Sequence, residues 1–119
     1  MSRDRPYLDY IDQSIASVEE LTSGGREIFL AAKHDQAATL YYLQTLAEAT
    51  QRISDALKSA HPEVDWAAIG GFRNRLAHGY LDVDLDIIWN VIKNYLPPLK
   101  TAVQAMLQSL DGETGANNP

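Results

Sequence analysis

Residues 65–79 read DWAAIGGFRNRLAHG, and their spacing predicts the helix that decides the fold of the chain. Apolar side chains and one arginine recur at three- and four-residue intervals on a single helical face: Trp66, Ile69, Arg73 and Leu76. Asp65 is a suitable N-cap, because its carboxylate can accept from the free N–H groups of the first turn. Gly79 is a suitable C′ residue, since glycine adopts the left-handed conformation without a Cβ penalty. We therefore expect a helix from about Asp65 to His78.

Arg73 falls inside the apolar face of this predicted helix. An unpaired charge is very costly to bury, so the guanidinium must be paired, or must face a cleft or a partner. His78 lies about 140° around the helix from Arg73. Asn74 lies between them and precedes His78 by four residues. The side chains can converge if the helix unwinds at Gly79 or if a second subunit completes the site.

Two arginines, an amide, an imidazole and a phenol fall between Arg73 and Tyr80, and no other stretch gathers as many reactive groups. On spacing alone, an arginine five residues before a histidine favours the simpler interpretation of a basic helix end. In that interpretation Arg75 and His78 complement the negative end of the helix dipole, and Tyr80 packs.

Length and composition indicate one globular domain. The chain has 119 residues, 45% hydrophobic and 22% charged, with no cysteine and a formal net charge of −6. The absence of cysteine excludes disulfides and thiolate metal sites. We see no signal peptide and no membrane-spanning run, so we expect a cytoplasmic protein without membrane contact. Any RNA binding must rest on a local basic patch, because the net charge is negative.

Periodicity predicts further helices on either side. The first begins near Asp4 and Pro6, carries a regular apolar stripe and breaks at residues 22–25. A short helix follows at about Arg26 to Lys33. The longest helix is expected from Gln36 to about Ala60, with Asp35 as its N-cap and Pro62 beyond its end. On it, Glu48 and Arg52 fit an ordinary solvated i,i+4 pair.

The last predicted helix runs from Leu85 to Leu110, with a kink or split at the two prolines of residues 97–98. Asp84 is its expected N-cap. Three alternating aspartates could suggest a metal loop, but the glycine and distal glutamate of a calcium loop are missing: Asp82, Asp84 and Asp86. The fold class is therefore all-α, an up-and-down four-helix bundle with one extra short helix. We expect a single domain over residues 4–110 and a flexible C-terminal tail over residues 111–119.

The stretch from Arg73 to Tyr80 resembles the RNxxxHxY motif of HEPN-domain toxins of the HepT branch. The surroundings of the motif agree with this resemblance: residues 4–8, Trp66, residues 83–89 and residues 96–99. The resemblance covers about residues 4–110 and is far more specific than the Arg–His spacing alone. It departs mildly at Gly24-Gly25 and in the short second helix.

The resemblance implies a dimeric bundle in which two motifs line a shared cleft, and a metal-independent ribonuclease without a cofactor. It also implies a toxin of a type VII-like toxin–antitoxin pair, acting on an RNA such as tRNA or mRNA. The implied partner is an MntA-like nucleotidyltransferase antitoxin, which neutralises the toxin by AMPylation of Tyr80.

The chemistry of the residue types fits an RNA-cleaving role. His78 can act as a general base or acid. Arg73 can bind the scissile phosphate and stabilise its developing charge. Asn74 could orient His78 or the phosphate. Two other interpretations stay open: a non-catalytic nucleotide- or substrate-binding helical subunit of a nucleotidyltransferase complex, and a purely structural dimeric bundle.

Overall fold

A computed structural model describes residues 3–79 and 83–117, with side chains through residue 112. Seven α-helices form in chain order: α1 Arg5–Leu21, α2 Arg26–Ala31, α3 Lys33–Thr50, α4 Asp55–Ser59, α5 Trp66–Gly79, α6 Leu85–Asn90 and α7 Leu96–Asn117. A π-helical turn, Val91–Tyr95, joins α6 to α7. The described ranges contain no strand, and the all-α prediction is confirmed.

Four long elements build the bundle. Helix α1 packs against α3 and α7, and α3 packs against α5. The buried apolar faces of these helices meet in one core, whose fully covered side chains include Leu8, Ile11, Ile15, Leu43, Leu76, Leu99 and Val103. Three short helices, α2, α4 and α6, accompany the four long ones. Helix α6 belongs to the predicted last helix, so α2 and α4 stand where the sequence predicted one short helix.

The predicted helix from Gln36 to Ala60 is wrong in its extent. It begins at Lys33, so that Asp35 lies in its first turn and is not its N-cap. It ends at Thr50, whose hydroxyl donates to the carbonyl of Ala47 at 2.6 Å. After a short break, the amide of Ser54 donates to Asp4 Oδ1 at 2.8 Å, and α4 begins. A contact from the start of α1 thus stabilises the break.

The split of the last helix is confirmed, although the irregular turn lies just before the two prolines. A proline at position 97 or 98 cannot donate to the carbonyl four residues earlier, and its ring collides with that carbonyl in a regular helix. The wider π turn of Val91–Tyr95 accommodates this. Helix α7 then continues to Asn117, beyond the end predicted at Leu110. The flexibility of residues 111–119 stays a prediction.

Two glycines behave differently from each other. Gly25 has φ +95°, the one positive φ among the described residues, and forms the turn before α2. Gly79 was expected beyond the helix end in the left-handed conformation, which is wrong, because Gly79 is the last helical residue of α5. No helix within the described ranges is long and apolar enough to span a membrane.

Candidate active site on helix α5

Side-chain contacts at its first turn fix the start of α5. Asp65 Oδ1 accepts from the amide of Ala68 at 3.0 Å, so the predicted N-cap is confirmed. Trp66 Nε1 donates to the carbonyls of Lys58 and His61 at 3.0 and 3.1 Å. These bonds attach the start of α5 to α4 and to the connection that follows α4. Ile69 and the fully covered Leu76 then bury one face of α5 in the core.

Arg73 is paired, as its position in the apolar stripe requires. Its Nε donates to Glu48 Oε2 on α3 at 2.5 Å, and its Nη1 donates to Asn74 Oδ1 at 2.9 Å. The Arg73 side chain is partly buried, with 37% of its surface exposed. A guanidinium has five N–H donors, so these two bonds leave both hydrogens of Nη2 to bind an anion. The guanidinium of Arg73 is thus held in place and partly buried, and it can still bind a phosphate.

Glu48 is the site residue that the sequence analysis missed. Its Oε1 lies 3.9 Å from Arg52 Nη2, the i,i+4 partner predicted for it, but its Oε2 makes the much shorter contact to Arg73. The bond to Arg73 joins two helices across 25 positions of sequence. The available signal was the need for a partner of Arg73, because no acidic residue lies on α5 itself.

His78 lies in the last turn of α5 with an exposed side chain. It makes no side-chain hydrogen bond to a residue within the described ranges. Asn74 bonds to Arg73 and not to His78 in this single chain. The structure therefore brings Arg73, Asn74 and Glu48 together and leaves His78 free to reach a substrate. Tyr80, the predicted site of AMPylation, lies outside the described residues.

The aspartates that follow α5 have structural roles. Asp84 Oδ1 accepts from the amide of Asp86 at 2.8 Å, and the predicted cap of the next helix is confirmed. The carboxylate of Asp86 forms an ion pair with Arg26 at the start of α2. Asp82 lies outside the described residues. Over the described ranges, no group of three histidine or acidic side chains is placed to hold a metal ion.

One carboxylate near α5 has a perturbed pKa. The pKa of Glu63 lies below its usual value, mainly because its own backbone N–H donates to the carboxylate and also because of a hydrogen bond with His61. His61 Nδ1 lies 2.8 Å from Glu63 Oε1. Both residues belong to the connection that leads from α4 into α5, so this pair supports the helix start rather than the site.

The sequence family agrees with this geometry. The family described as ribonuclease HepT-like matches residues 11–106, which include all of the side chains that surround Arg73. A protein of Thermococcus cleftensis named "Probable ribonuclease HepT" is 35% identical over 100 residues, covering 81% of this chain and 88% of that protein. A protein of Caldanaerobacter subterraneus subsp. tengcongensis named "Putative RNase" is 31% identical, covering 91% of this chain and 97% of that protein. No solved structure matches the chain.

The fold and the site define the class first: an all-helical domain with a paired arginine and an exposed histidine five residues apart on one bundle helix. The chain belongs to the ribonuclease HepT-like family. The resemblance to HepT proteins noted from the sequence is thereby confirmed, and so, at the level of the family, is the prediction of a ribonuclease.

Proposed function

We propose that this chain is a metal-independent endoribonuclease and that Arg73 and His78 are its catalytic residues. One observation carries the proposal. In a chain of a ribonuclease family, Arg73 is held by Glu48 and Asn74 while keeping N–H donors free, and His78 stands exposed on the same helix. Phosphodiester cleavage without a metal requires a fixed cation to bind the phosphate and a free imidazole to move protons, and this helix carries both.

The proposed reaction begins with attack of the ribose 2′-oxygen on the adjacent phosphorus. An imidazole of His78 takes the 2′-hydroxyl proton, the bond from phosphorus to the 5′-oxygen breaks, and an acid gives that oxygen a proton. Arg73 binds the phosphate and stabilises the charge that develops on it. The products are a 2′,3′-cyclic phosphate and a 5′-hydroxyl, from an RNA such as tRNA or mRNA.

We further propose that the working enzyme is a homodimer. Arg73 and His78 lie about 140° apart around α5, so one copy alone presents them in different directions. A two-fold axis beside α5 would place two Arg–His pairs in one cleft, and would supply the acid and the base from different chains. The exposed side chains of Asn74 and His78 leave room for such an approach.

We also propose that AMPylation of Tyr80 regulates the chain. Tyr80 follows His78 by two positions, so an AMP group on its phenol would add bulk and negative charge beside the phosphate site. A nucleotidyltransferase antitoxin would supply the group, and the chain would be the toxin of the pair. A cytoplasmic location stays a prediction.

Intact-mass measurement tests this regulation. The chain is co-expressed with a nucleotidyltransferase encoded beside it, and is also expressed alone. We expect AMP mass increments on the co-expressed wild type and none on Tyr80→Phe. An unmodified mass in a stable complex of the two proteins would mean that the partner controls the chain by binding alone.

Cleavage of labelled RNA in the presence of EDTA tests the catalytic proposal. We expect His78→Ala to lose at least about 100-fold in rate. The matched control is His34→Ala, an exposed histidine on α3, which should cleave like the wild type. Equal activity of folded His78→Ala and wild type would refute the catalytic role, and nucleotide binding without cleavage by the wild type would favour a non-catalytic binding subunit.

A further inference from the structure

A cavity of about 330 Å³ separates α5 from α6 and the π turn. Its inner walls are apolar and come from the side of α3 that faces the core and from the start of α7, including Leu46 and Leu99. The catalytic proposal does not use this space. A volume of this size is at the lower end of the range for small-ligand sites in proteins, roughly 300–1,000 Å³.

Two aromatic rings and two polar side chains give the cavity its chemistry. Phe72 and Tyr95 are partly buried and line it. Arg75 and Asn90 are exposed residues that also line it. The amide of Asn94 donates to Asn90 Oδ1, which leaves the Asn90 Nδ2 hydrogens available as donors. Apolar walls that include two aromatic rings, together with an amide donor, suit a planar ring that carries hydrogen-bond acceptors.

One edge of the cavity, at Arg75, lies near His78 along α5. Arg75 precedes His78 by three residues, so the two side chains are neighbours on one helical face. Gly71, four residues before Arg75, also lines the cavity. An RNA chain with a phosphate beside His78 can run past Arg75 toward the cavity. The guanidinium of Arg75 complements the next phosphate of such a chain.

We propose that this cavity binds one nucleobase of the RNA substrate, from a nucleotide adjacent to the scissile bond. Phe72 and Tyr95 flank the base, Asn90 donates to its edge, and Arg75 holds its phosphate. The inference rests on the proposed ribonuclease function, and it adds a subsite that selects single-stranded RNA, because a paired base could not enter an apolar cavity.

The substitution Gly71→Leu tests the subsite by filling it. A Cβ built at Gly71 meets no neighbouring heavy atom within 4 Å, so the leucine side chain can begin at this position without a backbone shift. The matched control is Ala16→Leu, which adds similar bulk at an exposed position of α1. Both variants are assayed on one RNA and on copies of it in which a single nucleotide beside the cleavage site lacks its base.

We expect KM of Gly71→Leu for the intact RNA to rise roughly tenfold, as the loss of one stacked base predicts, while Ala16→Leu matches the wild type. One abasic RNA should abolish the difference between Gly71→Leu and the wild type. Equal KM values on intact RNA would overturn the subsite and leave the ribonuclease function standing. An altered oligomeric state of Gly71→Leu in sedimentation would also overturn it, because a second copy would then cover the cavity.

A binding measurement keeps the two proposals separable. An RNA with 2-aminopurine at the position identified by the abasic series, or at each position in turn, is titrated with His78→Ala protein. We expect its fluorescence to be quenched by this protein and not by the Gly71→Leu, His78→Ala double variant. If the wild type cleaves no RNA, the ribonuclease proposal fails, and quenching that depends on Gly71 still supports base binding. Equal quenching by the His78→Ala protein and by the double variant would overturn base binding in the cavity.

Discussion

Glu48 is the acidic partner that fixes the guanidinium of Arg73. The 2.5 Å contact to Glu48 engages the Nε–H of Arg73 and leaves the Nη2 hydrogens without a hydrogen-bond partner among the described residues. The pair is more than a third exposed on both sides, so its contribution to stability is small, at most about 1 kcal/mol. The ion pair mainly orients the guanidinium of Arg73, so Glu48 is a positioning residue for the proposed reaction.

Replacement of Glu48 should separate orientation from RNA affinity. We expect Glu48→Ala to lower kcat roughly 10- to 100-fold, because the guanidinium loses its anchor, while KM falls or stays level as a negative charge is removed. Glu48→Gln keeps an acceptor oxygen and should recover part of kcat. Steady-state cleavage kinetics measure both. A rise in KM with unchanged kcat would show that Glu48 contributes to RNA binding instead.

Sequence reasoning reached Arg73 but not its partner, for a physical reason. The position of Arg73 in an apolar stripe demands a counter-charge, and that demand can be read from one helix. The identity of the counter-charge depends on which residue of α3 faces α5, which only packing decides. Arg52 was a plausible local partner for Glu48, so the sequence did not indicate the shorter contact between Glu48 and Arg73 across the bundle.

Helix α5 contains a glycine pair whose members differ in their surroundings. A Cβ at Gly70 would lie 3.1 Å from Gln51 Nε2, so the close approach of the break after α3 uses this glycine. A Cβ at Gly71 would meet open space. The two positions therefore differ in what they tolerate, although the sequence presents them as equivalent.

Gly71→Ala should stabilise the domain by about 0.5–1 kcal/mol, since alanine loses less backbone entropy in a helix and nothing obstructs its methyl group. Gly25→Ala is the contrasting variant. It should destabilise by about 1–3 kcal/mol, because φ +95° with ψ 175° is a conformation that essentially only glycine adopts. Urea unfolding of both variants gives the free energies. Equal effects at the two positions would contradict these assignments.

The loss of folding stability at acidic pH should depend on Glu63. Its pKa in the folded state is lowered, so the stabilisation is present above the ordinary value of 4.5 and is lost as pH falls through the lowered pKa. We expect Glu63→Gln to show a smaller fall in Tm than the wild type when pH is lowered from about 6 to about 3. Parallel curves for the two proteins would show that the carboxylate contacts of Glu63, to its own backbone N–H and to His61, do not influence folding.

Helix boundaries were predictable where their causes are local. Asp65 and Asp84 cap α5 and α6 as their sequence positions suggested. The break at the end of α3 depends on Asp4, fifty positions earlier, and the helix pattern of residues 36–60 gave no sign of it. Similarly, the continuation of α7 is supported by an ion pair between Arg5 and Asp111, at opposite ends of the described chain.

At the scale of the whole molecule, the bundle class followed from periodicity, and the family followed from the motif. The oligomeric state did not follow from periodicity or from the motif. In a single copy, Arg73 and His78 lie on different sides of α5. A dimer is therefore the proposed working form. Sedimentation of the purified protein should give twice the 13.2 kDa chain mass. A monomer that cleaves RNA at the full rate would contradict the shared cleft.

Mixed dimers test whether the two chains share a site. We expect Arg73→Ala and His78→Ala proteins to be strongly impaired, but a heterodimer of the two keeps one Arg73 and one His78. After subunit exchange, we expect cleavage to rise above the level of either variant alone. Exchange verified by mass, with no recovery of cleavage, would mean that one Arg73 and one His78 on different chains do not suffice for cleavage.

The most direct test of the central claim is a double-mutant cycle on single-turnover RNA cleavage by wild type, Arg73→Ala, His78→Ala and the double variant, each shown to be folded by circular dichroism. If Arg73 and His78 act as one catalytic unit, each single change should cost roughly 100- to 10,000-fold. The double change should then cost little more than the worse single one. Full multiplication of the two losses, or a folded single variant that cleaves at the wild-type rate, would contradict the account.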